Sequence, residues 1–174
     1  MLVREARPDD ADAIGRVHVE AWRAAYRGMM PDEFLASLDP AVRAARWRER
    51  MSSWGGEKKL FVVEGESGAA VGFAGVGPLR DDADDAGSRG ELYMINVAPA
   101  AWGTGAASAL LARASEALRD LGHREAILWV LRQNARARRF YEREGWKPSG
   151  DRRDTLTENG FTFEVDELRY GRAL

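Results

Sequence analysis

The sequence predicts one mixed α/β (α+β) domain over residues 1–174, and three observations support this fold class. Apolar stretches with helical spacing alternate along the chain with short β-like runs. Two of these runs are joined by a turn-rich connection that suits a hairpin. A helical stretch later links two further runs as strand, helix, strand, which is typical of a parallel crossover. We therefore expect a mixed, mostly antiparallel central sheet flanked by helices.

The first half of the chain is expected to hold one strand, two helical regions and a hairpin. Proline and two aspartates at 8–10 mark the start of the first helix, because proline fits a first turn and carboxylates favour its positive dipole end. Gly28 and Pro31 then interrupt the apolar spacing. The predicted elements are a strand over 3–6, a helix from residue 8, a second helical region to about residue 51, and strands over 60–63 and 69–76.

The second half begins with a polar stretch over 79–90, which is read as an exposed loop because its clustered aspartates, at 81, 82, 84 and 85, repel one another. Glycine at 122 and 145 is expected to end two helices. The predicted elements are a strand over 91–97, a helix from about 105 to 121, a strand over 126–131, a helix over 134–144, and a late strand over 161–170 that closes a hairpin around 158–160.

Composition argues against several classes of function. The chain has no cysteine, so it cannot form disulfides, thiolate metal sites or an acyl-cysteine intermediate, and with two histidines we expect no metal. A net charge of -2 gives no basic surface for nucleic acid. No apolar run approaches the length of a bilayer span, and the first seven residues are too charged for a signal peptide. We expect no nucleic-acid or membrane partner and a cytoplasmic location.

A glycine-containing turn leads from a strand into a helix at 97–107. Gly103 and Gly105 would let backbone N–H groups approach an anionic ligand such as a phosphate. On these two residues alone, a tight turn without any ligand is an equally good interpretation. The lysine of a Walker loop and the third glycine of a dinucleotide fingerprint are missing, so ATP and NAD are poor candidates.

This turn, the strand before it and a later segment together resemble the GCN5-related N-acetyltransferase (GNAT) superfamily. The family's pyrophosphate loop has the form Gln/Arg-x-x-Gly-x-Gly/Ala; here Gly105 and Ala107 match, and Trp102 replaces the first residue. The stretches ELYMINVAP (91–99) and NARARRFYEREGW (134–146) are similar to the family's central strand and later motif. The resemblance implies a GNAT-like domain whose central strand is splayed from the next one.

The same resemblance implies acetyl-coenzyme A (acetyl-CoA) as co-substrate. The splayed strand would accept the pantetheine arm as if it were an added strand. The amide of Asn134 would cap the following helix, contact the pantetheine region, or do both. Arginines at 136, 138, 139 and 143 either reach a terminal phosphate or form a solvated helix face. The expected cofactor-binding residues are Ile95, Val97, Trp102, Gly103, Thr104, Gly105, Ala106, Ala107 and Asn134.

Two side chains are predicted to carry the chemistry. Tyr141 stands where the family commonly places the tyrosine that protonates the leaving sulfur, and a phenol with a pKa of about 10 stays protonated at neutral pH. Core packing is the alternative role for this residue. Glu91 is predicted as the base, acting directly or through water, and a solvated carboxylate is its alternative. A backbone N–H near Val97 would meet the oxyanion.

The acceptor side is predicted on the first helix. His18, Trp22 and Tyr26 are four residues apart and share one face, either as acceptor-binding residues or as core aromatics. Their pattern with Gly28 and Pro31 also resembles polyamine acetyltransferases of the PaiA kind. We expect acetyl transfer to a primary amine of a small cationic molecule such as a polyamine. The alternatives are a protein, peptide or amino-acid acceptor, or a non-catalytic acyl-CoA sensor, and a homodimer is compatible with the resemblance.

Overall fold

A computed structural model describes residues 1–81 and 88–174, and one seven-stranded sheet links its first strand to its last. The strands are β1 (Val3–Glu5), β2 (Lys59–Glu64), β3 (Ala70–Pro78), β4 (Arg89–Val97), β5 (Glu125–Leu131), β6 (Lys147–Glu158) and β7 (Phe161–Ala173). The helices are α1 (Ala11–Ala25), α2 (Asp32–Ser37), α3 (Pro40–Ser53), α4 (Ala106–Asp120) and α5 (Ala135–Arg143), with 3₁₀ turns at Pro8–Asp10 and Pro99–Ala101. The predicted mixed α/β class is confirmed.

The sheet has the spatial order β1-β2-β3-β4-β5-β7-β6, and only β4 and β5 run parallel. These two strands pair at just three positions, ending where Glu91 lies opposite Ile127. A register shift against β3 then leaves Tyr93 as an extra residue in β4. Beyond Glu91 the strands separate, so the β5 side of residues 92–97 pairs with no strand in the described part of the chain. The splayed central strand is confirmed.

Helices cover both faces of this sheet, as the alternation along β2 requires. Phe61 and Val63 pack with α4 on one face, whereas Leu60 and Val62 pack with α1 and α3 on the other. The two helices of the second layer approach closely at Gly15, where a Cβ would lie 2.5 Å from the carbonyl oxygen of residue 40. Because the two helices pack so closely, polar residues of α3 lie beside α1, next to the gap between β4 and β5.

Several element boundaries differ from the sequence predictions. The second helical region consists of two helices, α2 and α3. They are separate because Asp39, between them, caps the start of α3, where its side chain accepts from the N–H of Ala41 at 2.7 Å. β4 begins at Arg89, inside the stretch predicted as loop, because that residue already pairs with β5. The hairpin around 158–160 is confirmed by positive φ at Asn159 and Gly160. The aspartates at 82, 84 and 85 lie outside the described residues.

Candidate active site

A cleft of about 870 Å³ opens where β4 and β5 separate. Its walls are residues 93–97 of β4 and 129–131 of β5. The start of α4 and the length of α5 border one end, and α1 and α3 border the other. All the predicted site residues line this cleft except Glu91 and Thr104. The fold therefore gathers residues that lie more than 120 positions apart in the chain.

The start of α4 presents unpaired backbone donors to this cleft. Gly103 and Gly105 have φ values of 80° and 90°, and no side chain caps the helix. The first helical bond runs from the N–H of Ala109 to the carbonyl of Gly105 at 3.0 Å. The N–H groups of residues 106–108 consequently find no acceptor in the described part of the chain. Such a helix start suits a phosphate or pyrophosphate group.

The side chains of Trp102 and Thr104 bond within the predicted cofactor loop, in which the backbone N–H groups from Gly103 to Ala107 are the predicted donors. The indole Nε1 of Trp102 donates to the carbonyl of Val97 at 2.8 Å, which ties the loop to the end of β4. The hydroxyl of Thr104 donates to the carbonyl of Ala101 at 2.8 Å, and this residue does not line the cleft. Because the Thr104 side chain bonds its own loop, only its backbone could contribute. Both side chains shape the loop.

Arginines of α5 supply positive charge beside this loop. The Arg136 guanidinium lies 3.3 Å from the centre of the Trp102 ring, and burial lowers the pKa of Arg136. It thus places a cation next to the position where the family usually has glutamine or arginine. Arg139 and Arg143 also line the cleft. Arg138 points elsewhere and donates to the carbonyl of residue 132 at 3.2 Å.

Tyr141 and Asn134 bring α5 to the centre of the cleft. Asn134 caps the helix, since its Oδ1 accepts from the N–H of Ala137 at 3.1 Å. The Tyr141 ring packs 6.3 Å from Trp146, while its hydroxyl has no hydrogen bond to any described residue. Burial, reinforced by the nearby Tyr26, raises the pKa of Tyr141 above its usual value. A protonated phenol without a protein partner is thus available to a substrate.

Glu91, which is predicted to act as a base directly or through water, is buried in an ion pair. It is 2% exposed and does not line the cleft. Its Oε1 accepts from Nε of Arg80 at 2.9 Å, and its Oε2 accepts from the backbone N–H of the same arginine at 2.9 Å. Arg80 itself does line the cleft. This geometry disfavours direct proton transfer to Glu91 and makes the carboxylate an anchor for the Arg80 guanidinium.

The three residues predicted on the acceptor side form one aromatic row. The ring centres of His18 and Trp22 are 5.0 Å apart, and those of Trp22 and Tyr26 are 5.2 Å apart. Nδ1 of His18 accepts from the indole of Trp47 at 3.0 Å, so a neutral imidazole carries its proton on Nε2. Burial, followed by the charges of three nearby arginines, lowers the pKa of His18 to about 3. This histidine is neutral at physiological pH.

The cleft also contains charged residues that the sequence predictions missed. Arg43 and Arg50 line it from α3, Arg80 lines it after β3, and Glu158 lines it from β6. The two α3 arginines flank Trp47 at positions i, i+4 and i+7, which is a helical stripe that periodicity alone could have identified. Burial and the neighbouring guanidiniums lower the pKa of Arg50, and burial raises the pKa of Tyr26 to about 12.

No group of three or more histidine, cysteine, aspartate or glutamate side chains within 1–81 and 88–174 is arranged to hold a metal ion. No helix in the same ranges is long and apolar enough to cross a membrane.

Comparison with known proteins relates this cleft to one family. Residues 19–146 match the model of the acetyltransferase (GNAT) family. The chain is 36% identical over 134 residues to the uncharacterized N-acetyltransferase YuaI of Bacillus subtilis, an alignment that covers 77% of this chain and 73% of that protein. Among solved structures, PaiA N-acetyltransferase of Thermoplasma acidophilum in complex with coenzyme A has the same fold, with a TM-score of 0.73, 17% identity, and coverage of 99% of this chain and 98% of that chain.

A second solved structure with this fold is yncA of Salmonella typhimurium with its cofactor acetyl-CoA. The TM-score is 0.71 at 23% identity, and the match covers 99% of this chain and 93% of that chain. The family model spans more than half of the present chain and includes both walls of the cleft. The chain therefore belongs to the acetyltransferase (GNAT) family and is an acyl-CoA-dependent N-acetyltransferase.

Proposed function

We propose that the protein moves an acetyl group from acetyl-CoA directly to a primary amine, without a covalent enzyme intermediate. One observation carries this proposal: the free hydroxyl of Tyr141 and the unpaired N–H groups of 106–108 lie on the same cleft between the splayed strands. Solved relatives of the same fold that contain coenzyme A or acetyl-CoA support the choice of co-substrate.

Residues of the cleft fit the parts of acetyl-CoA in order along its length. The start of α4 would hold the pyrophosphate through backbone donors, with Arg136, Arg139 and Arg143 adding positive charge. The unpaired β5 side of 92–97, which includes Ile95 and Val97, would bind the pantetheine arm by strand addition. Asn134 would border the same arm, since its Oδ1 is already used in capping and its amide nitrogen has no partner among the described residues.

The reaction requires one bond to form, one to break and one proton to move. The neutral amine attacks the thioester carbonyl carbon, and a C–N bond forms while a β4 backbone N–H near Val97 stabilises the oxygen. The C–S bond then breaks, and Tyr141 gives its proton to the departing sulfur. The amide product loses one proton to solvent in the cleft, and this proton restores the phenol. The net products are the acetylated amine and free coenzyme A.

The acceptor is proposed to be a small molecule that lies along His18, Trp22 and Tyr26, which form one wall of the cleft. A polyamine acceptor stays a prediction, but the guanidiniums of Arg43 and Arg50 on the same wall oppose a polycation. A protein or peptide acceptor remains an alternative hypothesis. So does a non-catalytic acyl-CoA sensor, which would be stabilised by coenzyme A without turnover. A homodimer is likewise proposed from the family resemblance alone.

An acceptor screen tests the proposed reaction. Purified protein is incubated with acetyl-CoA and with polyamines, amino acids, aminoglycosides or peptides with free N-termini, and thiol release is measured. We expect release that depends on both substrates and saturates with the amine. Thiol release no faster than hydrolysis with every acceptor, together with a thermal shift on adding coenzyme A, would favour the sensor instead.

A further inference from the structure

Two buried hydrogen-bond donors at the acceptor end of the cleft have no partner among the described residues. These donors are Nε2 of His18 and Nη2 of Arg43, and each residue is 5% exposed. Both residues line the cleft. The guanidinium of Arg43 lies 5.3 Å from the Trp22 ring centre, and the His18 ring lies 5.0 Å from it. An unpaired buried donor lowers the stability of the fold. This arrangement therefore favours binding of a ligand that supplies hydrogen-bond acceptors to both donors.

The charge around these donors is positive. Glu158 is shared by two guanidiniums, since it pairs with Nη1 of Arg43 at 2.9 Å and also with Arg46. Arg50 lines the same region and has no carboxylate partner among the described residues. The positive charge of Arg80 is balanced by its ion pair with Glu91, a residue that does not line the cleft. The guanidiniums of Arg43, Arg46 and Arg50 thus lie around the neutral His18 with one paired carboxylate among the described residues, which leaves a positive excess at this histidine. Asp154 and Glu167 also line the cleft, but both pair with Arg152.

We propose that this corner of the cleft binds the carboxylate of the acceptor, so that the substrate class is a small amine that also carries a carboxylate, as amino acids do. The inference rests on the proposed acetyl transfer and names its acceptor. Nε2 of His18 and Nη2 of Arg43 donate to the carboxylate oxygens, while Arg50 supplies further positive charge nearby.

The burial of the two donors favours a small molecule over a protein acceptor. A group that reaches donors with 5% exposure must enter the cleft as the end of a compact molecule. A peptide N-terminus carries its nearest carbonyl as a neutral amide, which would leave the positive charge of the corner unbalanced. A polyamine would add charge of the same sign as Arg43 and Arg50.

The test compares matched acceptors that differ only in the carboxylate. Initial rates with the complete protein and acetyl-CoA are measured for the twenty common amino acids, β-alanine and 4-aminobutyrate, and for their carboxamides and spermidine. We expect kcat/KM for the best carboxylate to exceed that of its carboxamide on the order of 100-fold, because hydrogen bonds to charged groups are worth about that ratio. Spermidine should be slower still.

Three variants locate the effect. Arg50→Gln removes a guanidinium without breaking an ion pair among the described residues. It should lower kcat/KM for the carboxylate at least about tenfold and change kcat/KM for the carboxamide less than about twofold. His18→Asn keeps an acceptor for Trp47 and removes Nε2–H, and should act in the same direction. Arg48→Gln is the matched control, because it removes the same charge from α3 but lies outside the cleft.

Binding measured without turnover separates this inference from the proposed reaction. Titration of the best carboxylate into the complex with coenzyme A should give an affinity that falls in Arg50→Gln and not in Arg48→Gln. Such binding without acetylation would refute the reaction and leave the carboxylate site standing. Equal or faster acetylation of carboxamides or spermidine, or no binding of any carboxylate, would overturn the inference.

Discussion

Replacing Tyr141 by phenylalanine removes one hydroxyl from the centre of the cleft and leaves the ring in place. The ring keeps its packing against Phe140, at 5.1 Å, and against Trp146, at 6.3 Å. Because the hydroxyl bonds no described residue, its loss should change the free energy of unfolding by less than about 1 kcal/mol. A general acid contributes about 10²- to 10⁴-fold to a rate, so kcat should fall by at least about 100-fold, which corresponds to about 3 kcal/mol.

The assay is thiol release at saturating acetyl-CoA, together with a separate titration of coenzyme A. The dissociation constant for coenzyme A should stay within about twofold, because general-acid action stabilises the transition state and not the bound cofactor. Tyr170→Phe is the matched control: that hydroxyl donates to Glu142 at 2.7 Å and lies outside the cleft. It should cost about 1 to 3 kcal/mol of stability and leave kcat nearly unchanged.

The raised pKa of Tyr141 adds a constraint on pH dependence. Its phenol stays protonated through neutral pH, so no basic limb of kcat below about pH 10 should come from this residue. A kcat for Tyr141→Phe within threefold of the wild-type value would remove the tyrosine from the mechanism. The reasoning would then fail at its central step, even if coenzyme A still bound.

Three other predictions concern the cofactor loop, Glu91 and His18. Gly105→Ala should weaken coenzyme A binding at least about tenfold and lower the free energy of unfolding by about 1 kcal/mol. Gly122→Ala is the control, because Gly122 has a φ of 89° against 90° at Gly105 and lies outside the cleft; it should lower stability equally and leave binding unchanged. Equal affinities of the two variants for coenzyme A would argue against cofactor binding by this loop. Glu91→Gln should raise KM for the acceptor several-fold, because Arg80 loses its ion-pair partner, while kcat stays within about threefold. A kcat lowered about 100-fold, with loss of the acidic limb of the pH profile, would instead support the predicted role of Glu91 as base. Because the pKa of His18 falls from 6.5 in the unfolded chain to about 3 in the folded one, its stabilisation is complete above pH 6.5 and lost as the pH falls. Urea unfolding should show about 2 kcal/mol of loss from this group between about pH 6.5 and 5, and a His18→Asn variant with the same pH slope would contradict the assignment.

Sequence patterns were enough for most of the fold. The helix predicted from about 105 to 121, the glycine after it and the β-like runs of β2 and β3 appear in the structure near the predicted positions. The strand β6 was predicted only through the hairpin around 158–160, because its half-buried residues Arg152, Leu156 and Glu158 do not give an alternation of apolar and polar residues. Only its ladder with β7, which depends on a distant part of the chain, makes it a strand.

The candidate site divides in the same way. The cofactor loop and Tyr141 were predicted by short motifs, in which backbone conformation and ligand chemistry depend on neighbouring residues. Trp102 shows the limit of that approach, because its role follows from a bond to Val97 and a stack with Arg136, which approach it only in three dimensions. The ion pair of Glu91 could not be predicted for the same reason, since Arg80 lies next to it only after β3 and β4 pair.

The sequence by itself was enough to identify the family and to predict the co-substrate and the residues that we propose bind it, because these predictions depend on short local motifs. The charge of the acceptor corner was decided only by tertiary structure. The close approach of α1 and α3 at Gly15 sets His18 beside Arg43, and the β6–β7 hairpin supplies Glu158 from the far end of the chain. Electrostatic interactions depend on distance through space, so burial and pairing of these groups, which decide which acceptor fits, exist only in the folded chain.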